Sequence, residues 1–137
     1  MKIFSKTILI KTKKPFDFVL IDEKINQVIA ESKVNNGFVL LRSPHNTATI
    51  ICNEDDPTVL ADFKKNLKRL FPDELPWEHS YEGVNNARAH QVISLLGQTH
   101  WVGIENGKLK LGRWQSLFLI EFFQGRERRI EVIIVGE

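Results

Sequence analysis

Residues 114–122 read WQSLFLIEF, and the cover that this run demands decides the fold. Alternation along a strand places Trp114, Ser116, Phe118, Ile120 and Phe122 on one face, with Gln115, Leu117, Leu119 and Glu121 on the other. Both faces are mostly apolar, so the strand predicts burial on both sides. Gln115 and Glu121 point the same way but sit roughly 20 Å apart at about 3.3 Å per residue. They cannot ligate one ion. As polar groups on a buried strand they need partners, which makes each a structural hydrogen-bonder or a site residue.

Outward from this run the chain stays β. A turn at Gln124-Gly125 leads into a strand from Arg128 to Val135, and Thr99–Ile104, a turn at Asn106-Gly107 and Lys108–Leu111 precede it. The middle is helical. Asp56 before Pro57 is a good helix start, followed by an apolar face of Val59, Leu60, Phe63, Leu67 and Leu70 that ends near Phe71-Pro72. A loop from Pro72 to Val84 carries Trp77, His79 and Tyr81. Ala89, Val92, Ile93 and Leu96 then recur at helical spacing, with Gly97 as the stop. The first third predicts strands over Lys2–Thr12 and Phe16–Ile21, then a short helix from Glu23 to Ser32 with Asp22 as its N-cap. Strands at Phe38–Leu41 and Thr47–Cys52 follow. Runs of strands with two or three helices between them argue an α+β fold and against a doubly wound parallel sheet.

The chain has 137 residues, enough for one domain spanning 1–137. Its 19 basic and 17 acidic residues leave a net charge of +2, too even for a general polyanion binder, and no basic stripe suggests nucleic acid. The longest early apolar run, Ile8 to Ile10, is too short for a signal-peptide core or a bilayer span. Cys52 stands alone, so neither a disulfide framework nor a thiolate zinc cluster is available. A cytoplasmic protein that engages neither membrane nor nucleic acid is expected.

No phosphate loop, GxGxxG, HExxH or nucleophile elbow is present, so candidate chemistry rests on clustered polar residues. Asn53, Glu54, Asp55 and Asp56 follow a strand. They offer oxygen ligands for Mg²⁺ or, more plainly, acids serving the next helix start. His79 lies in a loop. His90 lies on a helix and shares a face with Asn86 four residues before it, a flank position suited to a ligand or a general acid-base. Zinc binding by three imidazoles would require His45 to converge on His79 and His90; the alternative is three separate histidines. Asp62 falls off the apolar face of its helix and can pair with Lys65. Arg126 or Arg128, near the last turn, fits phosphate through its planar fork of donors.

The ordered set of His45-Asn-Thr-Ala48, Asn53-Glu54, Asp56-Pro57, Asp62, His79-Ser-Tyr-Glu-Gly83, Asn86, Ala89-His90, Leu95-Leu-Gly97, residues 106–115, Glu121 and Gly136-Glu137 resembles the YjbQ-like family, described as secondary thiamine-phosphate synthase enzymes. The resemblance covers nearly the whole chain. It implies two packed, mostly antiparallel sheets assembled as a homotrimer. It implies catalytic roles for Asp62, His79, His90 and Glu54, and substrate contacts from Asn86, Gln115, Glu121 and Arg128. His45, His79 and His90 become candidate ligands for a divalent metal, Zn²⁺ or Mg²⁺. The implied activity joins a pyrimidine-methyl pyrophosphate to a thiazole phosphate; the alternative is a trimeric metal-binding protein acting on another phosphorylated metabolite. Arg113 stands where the family has Thr in its Gly-Thr-Trp-Gln run, and Gly125-Arg126 lacks the usual intervening Pro.

Overall fold

A computed structural model describes residues 1–137. In chain order the elements are β1 (Lys2–Lys11), β2 (Asp17–Leu20), α1 (Asp22–Ser32), β3 (Gly37–Arg42), β4 (Ala48–Asn53), α2 (Pro57–Leu70), α3 (Val84–Leu96), β5 (Thr99–Glu105), β6 (Lys108–Leu109), β7 (Ser116–Glu121) and β8 (Glu127–Gly136). A five-stranded sheet has the order β1-β8-β3-β5-β6, and a three-stranded sheet has the order β2-β7-β4. Every pairing is antiparallel, so the fold is α+β with two sheets, as expected.

The strand that opened the sequence reading is the centre of the smaller sheet, and it divides two cores. Leu117 and Leu119 face the larger sheet, packing with Ile10, Val39, Leu41, Ile130, Val132 and Ile134 and with Ile25, Val28 and Ile29 of α1. Phe118, Ile120 and Phe122 face α2 and α3, against Leu67, Ala89, Val92 and Ile93. Each fully buried side chain of this size contributes about 1.5–3 kcal/mol. The layers therefore run from large sheet to small sheet to helices.

Several boundaries differ from expectation, each for a local reason. β7 begins at Ser116, because Gln115 closes a turn. Its N–H donates to Gly112 O (3.0 Å), and its Oε1 accepts from Gly112 N–H (2.8 Å). Trp114 consequently leaves the strand and is 65% exposed, with the Arg113 guanidinium 4.9 Å from its ring. Phe16 takes a left-handed backbone, φ 56°, so β2 starts one residue later. Its ring lies edge-on to Phe122 at 5.8 Å within the helical core. Asp22 does not cap α1: Ile21 is the N-cap, and the Asp22 carboxylate accepts instead from Leu117 N–H at 2.6 Å. Asp56 does cap α2, accepting from Thr58 N–H at 2.7 Å with Pro57 at the first helical position. No helix is long and apolar enough to cross a membrane.

Candidate functional site

α2 ends at Leu70 and α3 begins at Val84, and the intervening loop folds back on short bonds of its own. Leu75 N–H and Trp77 Nε1–H both donate to Pro72 O (3.3 Å each), Trp77 N–H to Leu75 O (2.7 Å) and Gly83 N–H to Ser80 O (3.0 Å). Gly83 has φ 93°, which turns the chain into α3 without a side-chain cap, so the first amides of the helix have no capping acceptor. This path brings His79 over the first turns of α3.

There the imidazoles of His79 and His90 meet edge to face, with ring centroids 4.8 Å apart. Tyr81 packs on the same ring of His79 at 4.5 Å. His79 Nε2 lies 3.1 Å from Oδ1 of the buried Asn86 and 3.4 Å from Glu82 Oε2. In the Nε2–H tautomer the ring donates to Asn86 and leaves Nδ1 as acceptor. One ligand atom each from His79, Glu82 and His90 fall within 4.8 Å of one another. Tetrahedral zinc with bonds of about 2.0–2.2 Å requires ligand atoms roughly 3.3 Å apart. The 3.4 Å contact with Glu82 is made by Nε2, which carries the proton in that tautomer, so ligation through Nδ1 would require the His79 ring to turn toward Glu82 and His90. Neutral imidazoles with one carboxylate suit Zn²⁺ or a similar borderline cation better than Mg²⁺.

His90 separates two clefts. One, of about 440 Å³, is walled by Leu75, Pro76 and Trp77 and floored by His79, Ala87 and Gln91. The other, of about 400 Å³, is lined by the neutral polar groups Asn46, Gln91, Ser94 and Gln98. No lysine or arginine lines either one.

The other residues singled out from the sequence lie elsewhere. The Nε2 of His45 accepts from Arg129 N–H at 2.9 Å, so this ring does not join the cluster. Burial first, and then the Arg128 charge, hold its pKa below the ordinary 6.5. Glu54 forms a turn through its main chain: its N–H donates to Asn53 Oδ1 (2.8 Å) and its O accepts from Asp56 N–H (2.9 Å). Asp62 is exposed on α2 and pairs with Lys65 at 3.7 Å, the solvated i,i+3 pair that its helix position allowed. Gln115 belongs to the Gly112 turn. Glu121 and Arg128 are both buried and bonded to each other, with Arg128 Nε 2.7 Å and Nη2 2.5 Å from the two carboxylate oxygens. Arg128 Nη2 also donates to Thr47 Oγ1 at 2.7 Å, so Nε and Nη2 are both engaged within the chain. Asn86, by contrast, does reach the histidine pair. Sequence reasoning missed Glu82, although its spacing three residues after His79 was a usable signal for a loop that closes on itself.

Fold and side chains together define an α+β domain with a surface His–Glu–His cluster beside an apolar-walled cleft. The chain belongs to the UPF0047 protein YjbQ-like family, whose model matches residues 6–137. It is 35% identical to the UPF0047 protein YugU of Bacillus subtilis over 134 residues, covering 96% of this chain and 98% of that one. It is 32% identical to the UPF0047 protein YjbQ of Escherichia coli O157:H7, with 98% and 99% covered. Among solved structures, a YbjQ-like protein of unknown function from Sulfolobus solfataricus P2 superposes with a TM-score of 0.91 at 32% identity, covering 99% of both chains. A member of the family from Clostridium acetobutylicum gives 0.88 at 37% identity, covering 95% of this chain and 99% of that one.

Proposed function

We propose that this protein is a cytoplasmic, homotrimeric enzyme that holds a divalent transition metal on His79, Glu82 and His90 and acts on a small phosphorylated metabolite. The observation that carries the reading is the convergence of two imidazoles and a carboxylate within 4.8 Å at the mouth of a cleft. Three protein ligands leave a coordination position for water or substrate, the pattern of a catalytic zinc site. A bound metal would supply charge neutralisation at a phosphoryl oxygen or a water of lowered pKa. Asn86, buried against His79, orients that ring and fixes its proton, as partners of ligating histidines do. The uncapped amides at the start of α3 suit an anionic group, and the wall of Leu75, Pro76 and Trp77 would exclude water from the apolar part of the substrate.

The thiamine-phosphate synthase reading shares this site but needs a cation for a leaving pyrophosphate. Arg128 is already neutralised by Glu121, so the metal-binding reading asks less of the residues present. The test is metal content of the native protein beside His79→Ala, His90→Ala and His45→Ala variants. About one metal ion per chain, lost from the first two variants and kept in the third, is expected. Metal-free protein, or metal indifferent to His79 and His90, would overturn the reading.

A further inference from the structure

We propose that Arg88 is the positioning residue of the histidine cluster, pinning the entry of the 72–83 loop to α3 so that His79 is held against His90. Arg88 is 2% exposed and lies behind the site, lining neither cleft. Its guanidinium joins three segments. Nε donates to Phe71 O (2.8 Å) at the end of α2, Nη1 to Asn85 Oδ1 (3.1 Å) in the first turn of α3, and Nη2 to the Asp73 carboxylate at the start of the loop. The Phe71 carbonyl belongs to a helix end, where no intrahelical donor is available. A planar fork with donors on three nitrogens meets three acceptors in different directions, which a lysine ammonium on its flexible stem would not reproduce.

The loop between these anchors has mostly short-range bonds, so its path is set at its two ends. Arg88 fixes the entry. At the exit the neighbouring residues Asn85 and Asn86 divide the work, Asn85 accepting from Arg88 and Asn86 contacting His79. Freeing the entry would let the loop swing about Gly83 and carry His79 and Glu82 away from His90, without emptying either hydrophobic core.

This inference rests on the metal-binding reading for one of its two readouts. The first is Co²⁺ affinity, followed by the visible absorption of the bound ion in native protein, Asp73→Ala and Arg88→Lys. Asp73 is 68% exposed at its side chain, so its truncation should leave the fold intact even if Arg88→Lys does not. Partners behind metal ligands typically alter affinity about 10–100-fold. Asp73→Ala is expected to lose at least tenfold while keeping the circular dichroism of the folded chain, its thermal midpoint lowered only by the Arg88 charge left without its carboxylate, and Arg88→Lys is expected not to do better. A loss below tenfold in Asp73→Ala overturns the proposal. The second readout needs no metal: the imidazole proton shifts of His79 and His90, which feel each other's ring currents. If native protein binds no Co²⁺, the metal-binding reading fails, and these shifts decide the role of Arg88. Collapse toward exposed-histidine values in Asp73→Ala supports it, and unchanged shifts overturn it.

Discussion

Glu121 carries a charge that its surroundings satisfy completely. Its side chain is 0% exposed. Oε1 accepts from Thr12 Oγ1–H (2.7 Å) as well as Arg128 Nε, and Oε2 accepts from Phe123 N–H (3.1 Å) as well as Arg128 Nη2. Breaking a buried pair from one side leaves an uncompensated charge at a cost of about 3–5 kcal/mol. Glu121→Gln should lower the unfolding free energy by that amount in a urea titration, and a change under about 1 kcal/mol would contradict the assignment. The sequence showed Glu121 as a polar residue on an apolar strand, but its side-chain partners Thr12 and Arg128 are brought to it only by the fold. The nearby histidine makes a second prediction. Burial lowers the pKa of both His45 and His100, so each imidazole takes up its proton more readily in the unfolded chain. Stability is therefore complete above pH 6.5 and falls as the pH drops below it. The urea midpoint should be lower at pH 5 than at pH 7.5, and His45→Gln, which keeps an acceptor for Arg129 N–H, should shrink that difference. An unchanged pH dependence would remove His45 as a cause.

At the scale of elements, two neighbouring strands of the larger sheet meet at glycines that leave no room for a side chain. Gly37 of β3 and Gly136 of β8 pair directly. A Cβ on Gly37 would lie 2.1 Å from Val135 O, and one on Gly136 would lie 2.2 Å from Asn36 O. Backbone atoms cannot rotate away as a side chain could, so the strands themselves would have to part. Gly136→Ala is expected to destabilise by about 1–3 kcal/mol, the usual cost of overpacking. Equilibrium unfolding checks this, and a neutral result would mean the β3–β8 pairing is looser at this end than its register implies. α2 and α3 were legible because their apolar residues recur at helical spacing and because Asp56-Pro57 and Gly97 mark a start and a stop. The start of β7 was not legible, since alternation continues through Trp114 and only the Gln115 side chain on Gly112 ends the ladder there. Asp22 misled for a related reason. An acid before an apolar stripe reads as a cap, yet this one is drawn across to Leu117 N–H, a tertiary contact with no local signature.

For the whole molecule, the apolar strand whose two faces the sequence marked for burial is covered by its own chain, so any assembly must use another surface. Strand registers supply one. On the outer face of the large sheet, Ile3, Val135 and Phe38 form one row, and Ile133, Leu40 and Trp101 fall in the next. Ile3 is 74% and Trp101 60% exposed, Phe38 packs at a tilt against Trp101 with ring centroids 5.1 Å apart, and no element of the chain lies over them. The patch is bounded below by the Arg42–Glu131 ion pair, so its edge is polar while its centre is not. A contiguous apolar area rimmed by charge is what a protein interface requires. The proposed homotrimer would bury it, and sedimentation equilibrium should then give three times the 15.8 kDa chain mass. Trp101→Glu places a carboxylate in the middle of that patch. It should return the protein to single chains while leaving its circular dichroism unchanged, because Trp101 contributes nothing to either core. A native mass of one chain would refute the assembly. A trimer indifferent to Trp101→Glu would move the interface off this sheet. The His79–His90 cluster lies across the molecule, on the helical layer beyond the small sheet, so metal binding by the Trp101→Glu chain would further show that one subunit suffices to build the site.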